Sequence, residues 1–180
     1  MKETEEPMEL MEAILGRRSV RSFQAEAISE EVLKKLVEAG IWAPSGGNAQ
    51  TWRFVVVTDP HCIRRVKMLS PGLLGDPPAV IVICQDVVEA ERRGAKLGRE
   101  VLTLMDTAMA AQNIMLAAYA EGLGTCIVRS FHPGGIQKLL RLPEYIEPQI
   151  LISVGVTASV SKPPKRNFDI VSFQEYRGND

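Results

Sequence analysis

The chain has 180 residues, 46% of them hydrophobic and 24% charged, with a net charge of -1 and a pI of about 6.2. That is enough chain to bury one core without disulfide or metal staples, and the even charge balance excludes a global field for nucleic acid or an anionic membrane surface, so any anion site is local. Its apolar runs fall well short of the roughly 20 residues of a membrane span, and the acidic Met1–Pro7 stretch lacks a signal peptide's apolar core; one domain over 1–180, in the cytoplasm, is the expectation.

In chain order, Met8–Gly16 carries apolar residues at helical spacing and closes on glycine. Directly after it comes Arg17-Arg18-Ser19-Val20-Arg21-Ser22-Phe23. Arg17 and Arg21 share a face if the segment is helical, and Arg17, Ser19 and Arg21 share one if it is extended. Like charges so placed repel unless an anion lies between them, and arginine forks well onto phosphate or carboxylate oxygens. Taken alone, the stretch is either such an anion site or a solvated basic turn. A second helix is predicted from Ser29 as N-cap, with Glu30 and Glu31 in its first turn. Its buried stripe is Val32, Leu33, Leu36, Val37 and Ile41.

Ala43 to Trp52 is a loop of small polar residues in which Pro44 and the Gly46-Gly47 pair forbid helix. Loops of this kind serve either as linkers or as carriers of binding groups. It leads into a strand at Arg53–Thr58. A short basic helix runs from Pro60 to Met68, with Ile63, Val66 and Met68 inward. Ser70–Pro78 is a loop, Ala79–Cys84 a strand buried on both faces, and Asp86–Gly98 a charged, partly mobile stretch.

Arg99–Glu121 gives the strongest helix signal, and its second half is apolar almost all round. Such a helix is buried on more than one side, and in a domain this small a second copy of the chain supplies the extra cover. A homodimer with this helix central is therefore predicted. Gly122–Val128 breaks the helix and restarts as a strand; its lone Gly-x-Gly lacks the rest of a dinucleotide fingerprint. Pro133–Leu142 is a short helix, Ile150–Val156 a strand, and the tail from Ser161 joins basic residues to Phe168, Ile170, Val171 and Phe173, which should dock on something.

Cys62, Cys84 and Cys126 are too widely spaced for a disulfide framework or a zinc pattern, and His61 and His132 do not complete one, so no metal is expected. No nucleophile–base pair or paired-carboxylate motif is present, so the chemistry of an enzyme built on this chain belongs to a cofactor. The arginines, hydroxyls and basic tail make that cofactor anionic.

The arginine stretch, followed some twenty residues on by Ala43-Pro44-Ser45-Gly46-Gly47-Asn48-Ala49-Gln50-Thr51-Trp52, resembles the nitroreductase-like family of FMN-dependent oxidoreductases. The resemblance continues through the long helix into Gly122-Leu123-Gly124-Thr125-Cys126 and the tail Lys162-Pro163-Pro164-Lys165-Arg166. It implies an α+β fold, a central mixed and mainly antiparallel sheet flanked by helices, with the long helix at the interface of a homodimer that holds FMN between its subunits. It implies that Arg17, Arg18, Ser19 and Arg21 hold the phosphate, ribityl chain and pyrimidine edge. Pro44, Ser45, Gly46, Asn48 and Gln50 would come from the other subunit. Backbone near Gly124, Val128, Arg129 and Ser130 would approach the ring, and Lys165 and Arg166 would close on the phosphate.

The tail, 162–180, would wrap the partner. The implied activity is hydride transfer from NADH or NADPH through flavin N5 to nitroaromatics, quinones or similar flat acceptors by a ping-pong course, with no catalytic side chain of its own. The alternatives are a specialised branch that dehalogenates, destroys flavin or oxidises a ring, and a non-catalytic flavin-binding sensor. Three departures stand out: Thr51 where relatives often have proline, no lysine in Ser70–Pro78 where larger relatives place one on the pyrimidine, and a short roof segment.

Overall fold

The computed structural model describes residues 8–159, 162–168 and 170–175; expectations for Met1–Pro7, Ser161 and residues 176–180 lie outside the described residues. Six helices and four strands follow one another as α1 (Leu10–Gly16), α2 (Glu30–Ile41), β1 (Trp52–Val57), α3 (Pro60–Met68), β2 (Ala79–Asp86), α4 (Val87–Leu97), α5 (Thr103–Ala120), β3 (Leu123–Val128), α6 (Pro133–Leu139) and β4 (Ile146–Val156). The strands lie in the order β1-β2-β4-β3, every neighbouring pair antiparallel. A parallel bridge between Ser19 and Thr125 makes the sheet mixed. This is the α+β architecture expected.

Helix starts follow their caps. Ser29 Oγ accepts the Val32 N–H at 3.3 Å, and Asp59 Oδ2 accepts the Cys62 N–H at 2.7 Å with Pro60 in the first turn behind it. β2 is buried throughout its apolar run. Its two faces feed two cores: Ile81 and Ile83 meet Leu33 and Leu36 of α2 and Ala110, Ile114 and Ala118 of α5, while Val80 and Val82 meet Ile63, Val66 and Ile136 of α3 and α6. Each fully buried Ile or Leu contributes about 1.5–3 kcal/mol. The alanines of α5 admit close approach on several sides. By length and composition the helical stretch Val87–Ala120 could cross a bilayer, but here α5 packs into the core between α2 and the sheet.

Five expectations are corrected. Asp86–Gly98 is helical, not loose: Asp86 Oδ1 accepts the Glu89 N–H at 3.0 Å and starts α4, while Glu89 pairs with Arg92 and Arg93. The helix then breaks at Gly94 and Ala95, and a wide helical turn over Gly98–Leu102 leads into α5, which begins at Thr103 instead of Arg99. Met68 is 84% exposed, because two positions beyond Val66, at about 3.6 residues per turn, points it nearly the opposite way. Ile41, the last residue of α2, is 48% exposed. Finally, β4 starts at Ile146, since the register slips so that Ile83 pairs with Ile150 but Cys84 with Pro148. The extra residue, Gln149, forms a bulge that lets a proline sit inside a central strand.

Candidate functional site

The arginine segment is extended, which settles the choice left open by its spacing. Val20 N–H donates to Thr125 O at 2.8 Å, Gln24 N–H to Val156 O at 2.9 Å and Ala158 N–H to Ser22 O at 3.0 Å. Arg17, Ser19 and Arg21 therefore lie on one side of a ribbon laid along the free edge of β3. Gly124 makes this possible. A Cβ there would fall 2.7 Å from Val20 Cγ2 and 2.5 Å from Thr157 Oγ1. The residue is buried beneath the arginine ribbon, so it acts through Val20 rather than through an open face.

The guanidinium groups have no carboxylate partners among the described residues. Arg18 Nη1 donates to Arg17 O at 2.8 Å. The Nε of Arg17 is buried with no hydrogen-bond partner. A buried donor left unpaired costs about 1–3 kcal/mol, and a ligand acceptor would remove that cost. Beside it a cavity of about 300 Å³ opens between Arg17, Arg18, Tyr119, Gly122, Thr125 and Thr157.

The next elements close around the same ribbon. The Gly72 N–H donates to Ser130 O at 3.1 Å, and Gly75 packs against the Arg21 carbonyl. The Ser70–Pro78 loop thus joins Arg21 to Ser130. Lys67, half-buried on α3, ties that loop from below through Gly75 O and Asp76 Oδ1, both at 2.7 Å. Arg129 lies with its guanidinium 5.7 Å from the Phe131 ring centroid. Arg129 and Ser130 are exposed, while the Val128 side chain is buried in the second core and leaves only its backbone to a ligand.

Pro44–Gln50 is built differently. Gly47, Asn48 and Gln50 all have left-handed φ angles of 50–56°, and the Ser45 hydroxyl accepts the Gln50 N–H at 3.1 Å while Gln50 Nε2 donates to Asn48 Oδ1 at 2.8 Å. The turn spends its Asn48, Ala49 and Gln50 N–H groups on itself, on Ser45 O, Gly46 O and Ser45 Oγ. Its attachment to the body runs through the Gly46 N–H, which donates to Asp106 Oδ1 of α5 at 3.0 Å. Asp106 is buried, and desolvation pushes its pKa up while the Gly46 N–H pulls it back down.

The following residue anchors the loop's exit. Thr51 Oγ1 donates to Gln85 Oε1 at 2.6 Å, and Gln85 Nε2 donates to Thr107 Oγ1 at 2.7 Å and to Thr103 O at 3.1 Å, all buried. Thr51 supplies a donor that a proline could not. Asp106, Gln85, Thr103 and Thr107 carried no motif in the sequence; three polar residues on α5 and one glutamine closing the apolar run of β2 were the only trace.

Within one chain, then, Arg17, Arg18, Ser19, Arg21, Gly124, Val128, Arg129 and Ser130 gather at one edge of the sheet. Pro44, Ser45, Gly46, Asn48 and Gln50 are anchored elsewhere, on α5, and among the described residues their hydrogen bonds run to Asp106 and to one another. Lys165 and Arg166 stand on an exposed tail. The cysteines take no part: Cys126 is buried, and burial pushes the Cys84 thiol up to about 12.

The nitroreductase family model matches residues 14–70 and 65–156. A provisionally named NADH dehydrogenase/NAD(P)H nitroreductase of Methanothermobacter thermautotrophicus is 30% identical over 158 residues, covering 84% of this chain and 78% of its own. An FMN reductase (NADPH) of Bacillus subtilis is 28% identical over 180 residues, covering 86% and 69%. The crystal structure of a nitroreductase family protein from Clostridium difficile 630 superposes with a TM-score of 0.82 at 26% identity, over 94% of this chain and 100% of that one.

Proposed function

The chain belongs to the nitroreductase family, and we propose that it is an NAD(P)H-dependent, FMN-using oxidoreductase that reduces nitroaromatics, quinones or similar flat acceptors. The observation that carries this reading is the arginine ribbon: three guanidinium groups without carboxylate partners among the described residues, one with a buried, orphaned Nε. FMN fits that donor set, because a phosphate is the anion that arginine forks and hydroxyls receive best. When bound, FMN would supply the redox chemistry, hydride transfer between NADH or NADPH and the acceptor by a ping-pong course.

The chain's own residues do the rest. Arg17, Arg18, Ser19 and Arg21 bind the phosphate, ribityl hydroxyls and pyrimidine edge. Arg18, Arg21 and Arg129 are the cations available to balance negative charge on the ring. Gly124 supports the ribbon through Val20, and the backbone of Val128, Arg129 and Ser130 borders the ring. Pro44, Ser45, Gly46, Asn48 and Gln50 of the partner subunit complete the site, and Lys165 and Arg166 close on the phosphate. Holding donor and acceptor successively over one rigid plane supplies acceleration by orientation.

Assembly as a homodimer belongs to the same proposal. Leu10, Met11 and Leu15 of α1, Trp42, and Leu104 and Met105 of α5 are exposed large apolar side chains, more than a lone copy would leave to water in contiguous patches. The tail adds Phe168, Ile170, Val171 and Phe173, all exposed. A groove of about 760 Å³ lined by Ile28, Val37, Ile41, Phe54 and Val56 runs between α2 and β1, and it suits the tail of a second copy.

The test is an absorbance spectrum of the purified protein with identification of the extracted pigment. FMN at one per chain supports the proposal, and a colourless protein that takes up no added FMN refutes it. Sedimentation showing a well-folded monomer at micromolar concentration would refute the shared site.

A further inference from the structure

Resting on the flavoprotein reading above, we infer that Asp106 is a positioning residue for the cofactor loop, its buried carboxylate holding Pro44–Gln50 in ligand-binding shape through the Gly46 N–H. That hydrogen bond, 3.0 Å long, is the one that ties the loop backbone to α5 among the described residues. The loop's other backbone bonds are internal: Asn48 N–H to Ser45 O, Ala49 N–H to Gly46 O and Gln50 N–H to Ser45 Oγ. Gly46 also sits flat on Leu102, since a Cβ there would lie 2.7 Å from Leu102 Cδ1. The loop thus meets α5 at a polar pin, with Leu102 of the preceding turn and the neighbouring α4 in contact with it. Loss of the pin frees the turn, whose left-handed Asn48 and Gln50 are costly conformations for non-glycine residues to hold alone.

The choice of an acid at this position is what calls for an explanation. Asp106 is 2% exposed, and no cation pairs with it among the described residues. Arg93 of α4 lines the same small cavity of about 120 Å³ but is committed through Nε to Glu89 at 2.6 Å. Arg99 of the following turn is paired with Glu91 at 2.9 Å, and Glu100 is exposed near Lys96. Pro44–Gln50 itself contains no titratable side chain, and the polar neighbours on α5, Thr103 and Thr107, are neutral, their hydroxyls donating to Arg99 O and Thr103 O.

An asparagine would offer the same acceptor oxygen without burying a charge. The charge has one clear effect, which is that an ionised acceptor makes a hydrogen bond about twice as strong as a neutral one. It comes at the expense of global stability. The folded pKa of Asp106 is raised by desolvation, so this group's contribution to stability is greatest at low pH and is lost as pH rises through the raised value. Asp106 thus trades global stability at neutral pH for grip on one loop.

The experiment compares the full chain with Asp106→Asn and Asp106→Ala. It reads FMN affinity by fluorescence quenching at pH 8, amide hydrogen exchange of the FMN-free protein across residues 43–50, and thermal melting. Asp106→Ala is expected to weaken FMN at least about tenfold at pH 8 and to speed exchange across 43–50 while β2 keeps its protection. Asp106→Asn is expected to bind FMN more weakly than the native chain at pH 8, because a neutral acceptor holds the Gly46 N–H less strongly. It should also melt at or above the native chain at pH 8.

Native exchange across 43–50 in Asp106→Ala overturns the inference. Should that variant not fold, an Asp106→Asn chain that binds FMN as tightly as the native chain at pH 8 overturns it instead. A native chain that takes up no FMN refutes the flavin reading, and the exchange measurement then decides the Asp106 pin by itself.

Discussion

Replacing Gly124 with alanine asks whether this glycine serves the fold of the arginine ribbon. The added Cβ would lie 2.5 Å from Thr157 Oγ1, 2.7 Å from Val20 Cγ2 and 2.8 Å from Val20 Cβ. Thr157 can rotate its hydroxyl away. Val20 Cβ can retreat only if its backbone moves, and that backbone is bonded to Thr125 O at 2.8 Å. Overpacking of this kind costs about 1–3 kcal/mol. In a chain of this size each kcal/mol lowers Tm by about 2–4 °C, so a fall of about 2–12 °C is expected.

The displaced ribbon carries Arg17 and Arg21, and loosening one charge-assisted contact worth about 1.5–3 kcal/mol weakens FMN by at least about tenfold. Thermal melting and FMN titration of Gly124→Ala read both effects. Adding Val20→Ala removes only the Cγ2 clash and should restore part of each, whereas Val20→Gly should restore more of the affinity. Unchanged Tm and unchanged affinity in Gly124→Ala would refute the packing argument.

Arg17→Ala combined with Arg21→Ala should weaken FMN by two or more decades, from two lost contacts of about 1.5–3 kcal/mol each, while sedimentation still shows a folded dimer; full flavin occupancy would sink the phosphate role. Thr51→Val leaves the buried Gln85 Oε1 without its donor and should cost about 1–3 kcal/mol in a melt, whereas Thr51→Ser should cost less. Ala95 holds φ 47° and ψ -145°, a conformation that strains a residue with a Cβ by about 1–3 kcal/mol. Ala95→Gly should therefore raise Tm by a few degrees despite the unfolded-state entropy of glycine, and a lower Tm would show that the strain is not there.

Elements whose signals are local were legible in the sequence. The bounds of α3 follow from Asp59, Pro60 and the basic last turn, the start of α2 from Ser29, and β2 from an unbroken β-branched run. The start of α4 was also readable, in the spacing of Asp86 and Glu89, but few apolar residues marked its face, and charge masked the cap. The Pro148 bulge depends on the register of a distant strand, and the extended form of the arginine ribbon depends on Thr125, Val156 and Thr157. No local pattern encodes either. The same holds for the site: arginines and a glycine loop announce themselves by type, whereas Asp106 and Gln85 matter only through what they touch.

The proposed passage of hydride from a nicotinamide donor through FMN to a flat acceptor is tested most directly by adding NADH or NADPH, without oxygen, to the FMN-loaded protein. The flavin's long-wavelength absorbance should bleach with stoichiometric donor and return when a quinone or nitroaromatic is added. A fully loaded protein whose absorbance neither donor changes would contradict the claim.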